Sequence, residues 1–209
     1  MKTRTAPTDS LPLPLPRLQP AGRRQDVAGI RLQPAAMAEF NTLLQAVNCE
    51  APAVDADQLA TLARWLLALP SEHAQATLSE RLARAEQVRQ MLADPAWQLS
   101  PAWRERAAKL VDYLRRTDDL IPDDQPLVGH LDDALLIELS WPTFAGEAQD
   151  YRDFCRFRRE SKPRGTAEDL RNAWEAECLA EAAYRLHRQE IRQRGYARPE
   201  PLFDPLRVC

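Results

Sequence analysis

Between Thr117 and Phe144 the chain reads TDDLIPDDQPLVGHLDDALLIELSWPTF, and no other stretch limits its folding choices so tightly. Asp118, Asp119, Asp123, Asp124, Asp132 and Asp133 crowd a turn punctuated by Pro122, Pro126 and Gly129. Proline removes a backbone donor and fixes φ, so this segment must reverse direction rather than continue a helix. The unbroken apolar run from Ala134 to Ile137 then calls for a helix apolar on nearly all sides. Such a helix belongs at the centre of a core. The sequence therefore predicts an acidic turn closing onto the most buried element of the fold.

The surroundings point to helices. The chain has 209 residues with only 6 Gly and 7% aromatics, and is rich in Ala, Leu, Arg and Glu. These favour helix over sheet. From Pro34 the apolar period is helical, with Met37, Phe40, Leu44 and Val47 forming one stripe. Asp55 and Gln58 have capping-box spacing ahead of Leu59, Leu62, Ala63 and Leu66. Pro70 ends that helix, and Ser71 is read as the cap of a longer one with Leu78, Leu82, Ala85, Val88 and Leu92 inside. Ser100 before Pro101 marks another start, with Trp103, Ala107, Leu110, Val111 and Leu114 facing inward. After the acidic turn, a helix is expected from about Leu131 to Ser140, and a separate one from Thr143 or Ala145 through Arg159. A break spans Lys162 to Gly165. Thr166 and Asp169 form a second capping box for a last helix, running to about Arg194. The fold class expected is all-α, an irregular orthogonal helical bundle with a disordered proline-rich N-terminal tail. Residues 1–24 form the tail, in which Leu and Pro alternate from Leu11 to Pro16. Residues 25–195 form a single helical domain, and residues 196–209 an extended C-terminal tail.

Bulk chemistry excludes several classes of function. A formal net charge of −3 supplies no field for nucleic acid or anionic membrane. The 4 Cys lack CxxC spacing, which argues against a disulfide framework or zinc site and for a reducing cytoplasm. No apolar run approaches the roughly 20 residues a bilayer crossing needs. P-loop, GxGxxG, GxSxG and HExxH motifs do not occur.

The acidic turn has two physical readings. Asp119, Asp123, Asp132 and Asp133 could converge on a divalent cation (Mg²⁺, Mn²⁺ or Ca²⁺), with His130 as an added transition-metal ligand. In the other reading, Asp132 and Asp133 favour the positive end of a helix dipole, Asp119 and Asp123 bond turn amides, and Arg115, Arg116 and the later arginines neutralise the charge. The second reading is adopted here as the expectation. A further stripe, Arg152, Arg156 and Arg159, flanked by Tyr151, Phe154 and Phe157 within a segment ending at Arg164, could bind phosphates or nucleic acid. A solvated helix face, or an intramolecular partner for the aspartates, is the preferred reading, because Asp150, Asp153 and Glu160 dilute its charge. Cys155 is expected as a buried core thiol, His187 as a packed imidazole, and His73 at the surface. Ala173, Ala176, Ala180 and Ala183 permit close helix approach within the fold or in a dimer.

Asp119, Leu120, Ile121, Pro122, Asp123, Pro126, Gly129, Leu131, Asp132 and Asp133 together resemble the signature of the YkvA-like family, also described as domain of unknown function 1232. The resemblance covers about Trp103 to Arg158. It implies an all-helical core and supplies no activity. Relatives with a more hydrophobic helix after the Asp-Asp pair look membrane-associated, which leaves peripheral membrane contact open. The expected function is a non-catalytic, cytoplasmic interaction or scaffold module whose partner is another protein or a second copy. A divalent-metal-dependent enzyme, perhaps a hydrolase, is the first alternative, and a phosphate or nucleic-acid binder the second.

Overall fold

The computed structural model describes residues 12–15, 26–27, 29–117 and 119–193. The expected tails, 1–24 and 196–209, lie outside the described residues apart from 12–15, as does Asp118. The fold is all-α, as expected: α1 (Pro34–Val47), α2 (Ala56–Ala68), α3 (Ser71–Ala93), α4 (Pro101–Tyr113), α5 (Leu131–Ser161) and α6 (Ala167–Gln193). One short antiparallel pair, β1 (Asp26–Val27) and β2 (Ile30–Arg31), precedes them and was not anticipated. Where one domain was expected over 25–195, the chain divides into two compact units, Met1–Asp153 and Phe154–Cys209, with the boundary inside α5.

In the first unit the apolar stripes meet as the period dictates. Phe40, Leu44, Leu59, Leu62, Leu66, Val88 and Leu110 are all essentially inaccessible. Met91, outside the expected stripe, is buried too, while Leu82 and Leu92 are only half-buried. Local chemistry sets the helix starts. Asp55 and Gln58 make both bonds of a capping box at 2.8 and 3.0 Å. Ser100 Oγ accepts from the Trp103 amide at 3.3 Å. Ser71 does not cap α3, because it is already the first helical residue and Pro70 precedes it.

The two helices expected on either side of Pro142 are one. α5 runs through the proline, and two carbonyls in the turns before it accept from side chains. Ser140 Oγ donates to the Leu136 carbonyl at 2.6 Å. Asn48 Nδ2, 91 residues away in sequence, donates to the Leu139 carbonyl at 2.8 Å. Proline inside a helix is tolerated where surrounding groups take up the hydrogen bonding it disrupts. Ala134, Leu135, Leu136 and Ile137 are fully buried, so the first turns of α5 form the expected central element; Leu139 is half-buried. Trp103 stacks edge-on against Phe144 at 5.1 Å, and Trp97 against Tyr151 at 5.4 Å.

In the second unit, Phe154 meets Trp174 edge-on at 5.8 Å and Arg158 lies over the Phe154 ring at 4.7 Å. α5 ends at Ser161, where Lys162 (φ 46°) and Gly165 (φ 137°) take left-handed backbone. Thr166 and Asp169 then cap α6 reciprocally, at 2.8 and 3.2 Å. His187 is exposed rather than packed, because the face of α6 that carries it has no cover among the described residues. Cys155 is half-buried, with the Arg158 guanidinium 3.8 Å from its sulfur, rather than a core thiol.

Candidate functional site: a buried carboxylate cluster

The loop between α4 and α5 is wound by its prolines into successive turns. The Gln125 amide bonds the Pro122 carbonyl at 3.1 Å, Val128 bonds Pro126 at 2.8 Å, and Gly129 bonds Gln125 at 3.0 Å. Gly129 is required for close approach, not for positive φ: a Cβ there would lie 2.6 Å from the Asp123 carbonyl oxygen. The left-handed residue of the turn is Leu127, at φ 67°. Gly129 therefore lets the Asp123 backbone lie directly against the residues leading into α5. That contact brings Asp119 and Asp123 to Asp132 and Asp133 in the first turn of α5.

All four carboxylates named from the sequence converge here. Asp132 is fully buried and Asp133 is 4% exposed. Asp132 Oδ2 accepts from the Tyr113 hydroxyl at 2.9 Å and from the Ile121 amide at 3.4 Å. Its Oδ1 has no hydrogen-bond partner, nor do Asp133 Oδ1, Asp123 Oδ1 and both oxygens of Asp119, all buried. His130 Nδ1 stands 3.0 Å from Asp123 Oδ1 and 3.5 Å from Asp133 Oδ2, at the solvent side of the cluster. Its line to Asp123 Oδ1 misses hydrogen-bond geometry, so that oxygen stays unpartnered.

The electrostatics follow from the packing. Burial pushes the Asp119, Asp132 and Asp133 carboxyls up to about 7. Mutual repulsion adds to it: Asp132 then Asp123 act on Asp119, Asp133 on Asp132, and Asp119 then Asp123 on Asp133. The Tyr113 hydrogen bond opposes the shift at Asp132, and His130 opposes it at Asp133. Burial and the adjacent Asp132 push the Tyr113 hydroxyl upward, so Tyr113 is a permanent donor. These carboxyls titrate as a set.

The neutralising arginines expected from the sequence are engaged elsewhere. Arg116 pairs with Glu39 at 2.6 Å and lies over the Tyr113 ring, and Arg115 reaches Asp112 at 3.8 Å. Asp124 is exposed and bonded by the Gln125 side chain. Pro122 and Pro126 shape the loop without touching the cluster through polar atoms. Tyr113 was missed from the sequence, although three residues past the inward Leu110 is the same helix face.

One carboxylate oxygen each from Asp123 and Asp133 and a nitrogen of His130 lie within 4.8 Å of one another, a spacing that a cation could close. Carboxylates suit Mg²⁺, Ca²⁺ and Mn²⁺, and of these three the added imidazole favours Mn²⁺, since the other two take oxygen ligands. Asp132, fully buried, and the half-buried Asp119 would act as further oxygen donors or accept hydrogen bonds from ligated water. The arginine stripe is less suggestive. Arg152 donates to Gln87 at 3.1 Å and Gln149 at 2.7 Å, and Arg156 and Arg159 belong to the second unit. Comparisons with protein-family models, curated proteins and solved structures find no match to this chain. No helix among the described residues is long and apolar enough to cross a membrane.

Proposed function

We propose that this chain is a divalent-cation-binding helical module, in which an ion held by Asp123, Asp133 and His130 locks the acidic turn onto the start of α5. The observation that carries it is the set of five buried carboxylate oxygens without a hydrogen-bond partner, of which Asp123 Oδ1 alone has an ion-pair contact, with His130 at 3.0 Å. Leaving such atoms unsatisfied costs on the order of 1–3 kcal/mol each, more when charged. Helix-terminal amides and two arginines would have removed that cost, but the arginines pair elsewhere. The proposal keeps the non-catalytic interaction or scaffold role and makes it cation-dependent. It also keeps the YkvA-like resemblance, whose signature residues are those that build the turn.

A second reading, metal-dependent hydrolysis, draws support from His130, which is 48% exposed beside Asp123. An ion held there would keep solvent-side positions for water, whose pKa a cation lowers. The phosphate-binding reading of Arg152 to Arg164 has no comparable observation behind it.

Thermal unfolding at pH 7.5 tests the proposal. Millimolar Mn²⁺ should stabilise the fold by roughly 4 kcal/mol if it stands a thousandfold above Kd. The double variant Asp132→Asn, Asp133→Asn should abolish that gain while raising stability without metal, since repulsion is relieved. A wild-type melting curve indifferent to Mn²⁺, Mg²⁺ and Ca²⁺, with a double variant that is less stable, would return the turn to a purely structural role.

A further inference from the structure

Residues 12–15 of the N-terminal Leu-Pro stretch lie on the first unit, and their burial alternates. Pro12 and Pro14 are exposed, Leu13 is 6% exposed and Leu15 is half-buried. Leu13 belongs to the same apolar core as Val27, Leu32, Phe40, Leu44 and Leu62, and Leu15 packs against that core. Side chains two apart share a face of an extended segment, so both leucines turn inward and both prolines outward.

The backbone holds this segment more loosely than the side chains do. Pro12 and Pro14 have no amide hydrogen to give. The Leu15 amide donates to the Leu13 carbonyl at 2.8 Å, closing a three-residue turn whose centre, Pro14, already has the φ such a turn needs. Among the described residues the segment shares no backbone hydrogen bond with the helices, and β1 pairs with β2 instead. Leucine side chains are therefore its anchors, as in a proline-rich peptide seated in an apolar groove. Such a peptide loses little freedom on binding, because its prolines have already restricted it.

The sequence adds two constraints. Leu11, Leu13 and Leu15 recur between prolines at a spacing of two, so a slip by two residues presents the same pattern to the seat. Residues 16–25 join Leu15 to β1, and a tether that short keeps the leucines at an effective concentration on the order of millimolar. At micromolar protein the chain's own tail therefore fills the seat ahead of a second copy's. We propose that the first unit carries a docking site for a leucine-proline peptide, and that the chain's own residues 12–15 occupy it as a releasable strap.

A fluorescent peptide with the sequence of Leu11–Pro16 tests this on the full chain. Wild type should bind it weakly, because the tail competes. The triple variant Leu11→Ser, Leu13→Ser, Leu15→Ser vacates the seat and should bind it about tenfold more tightly or better. Leu13→Ser alone should fall between, since a slip by two seats another leucine. A peptide with serine in place of each leucine should bind none of the three. Helical circular dichroism and a cooperative melt establish that the triple variant is folded. A second measurement needs no variant: in methyl-labelled wild type, unlabelled peptide at millimolar concentration should move the Leu13 methyl signals to the positions of solvent-exposed leucine. Equal affinity in wild type and the folded triple variant, binding by neither, or Leu13 signals that stay in place would each overturn the proposal. So would a wild-type dimer at micromolar concentration that the triple variant loses, because the tail would then sit on a second copy.

Discussion

Helix α5 holds acidic side chains in two buried places, and the fold treats them oppositely. Glu138 is clamped by two guanidinium groups from α3, Arg81 Nε at 3.2 Å and Arg84 Nη1 at 3.1 Å. Arg81 is itself 2% exposed and bonds the Thr77 carbonyl as well. Asp132 and Asp133, at the start of the same helix, are buried among two further carboxylates, with a tyrosine hydroxyl, a backbone amide and a half-exposed imidazole as their nearest donors. Desolvating a charge is costly unless it is paired. The first place shows that this fold supplies arginines where it buries a lone acid. The second is therefore not explained by a shortage of them, and in the proposed function a cation from outside takes their place.

The contrast can be broken at either end. The largest effect is expected at the paired end: Arg81→Met should destabilise by about 3 kcal/mol, because it leaves Glu138 buried with Arg84 alone. Denaturant unfolding checks it. A near-neutral result would mean that α5 tolerates unpaired buried charge generally, and the acidic turn would lose its distinction.

The next effect is in pH. Asp119, Asp132 and Asp133 have folded-state values of about 7, above their ordinary 3.8. Protonated, they favour the fold; the stability they contribute is fully present below about pH 4 and is lost as pH rises through 7. Without metal, wild type should lose stability relative to Asp132→Asn, Asp133→Asn between pH 5 and pH 8, on the order of 5 °C in melting temperature. Parallel curves for the two proteins would show that the carboxylates do not hold extra protons. The smallest effect concerns the loop that brings the acids together. Gly129→Ala must push a methyl into the Asp123 backbone, and should cost about 1–2 kcal/mol by chemical denaturation. It should also weaken any Mn²⁺ stabilisation, since Asp123 moves with that backbone.

What was legible in the sequence was local. The capping boxes at Asp55 and Thr166, the Ser100–Pro101 start and the break at Lys162 involve residues within one turn of each other. Each formed where its spacing said it would. The apolar stripes of α1 and α2 were legible for the same reason. Long-range pairings were not. Pro142 looked like a boundary because nothing nearby announces that Asn48 will serve the Leu139 carbonyl. Nor does anything near Glu138 announce that Arg81, 57 residues before it on another helix, will pair with it. In the acidic turn the carboxylates named from the sequence come together, but the arginines expected beside them do not. Arg115 and Arg116 are the nearest cations along the chain, yet Arg116 turns to Glu39, 77 residues away. Sequence proximity says which charges share a loop; only the packing says which of them meet.

The central claim is that the carboxylate cluster holds its charge only with a cation, and calorimetric titration of the protein with Mn²⁺ tests it most directly. Run near pH 7 in two buffers of different ionisation enthalpy, the titration counts the protons displaced as the ion binds. The account predicts one ion per chain, proton release, and binding that weakens as pH falls below 7, with all three lost in Asp132→Asn, Asp133→Asn. Absence of binding at millimolar Mn²⁺, or binding without proton release that survives the double variant, would contradict it.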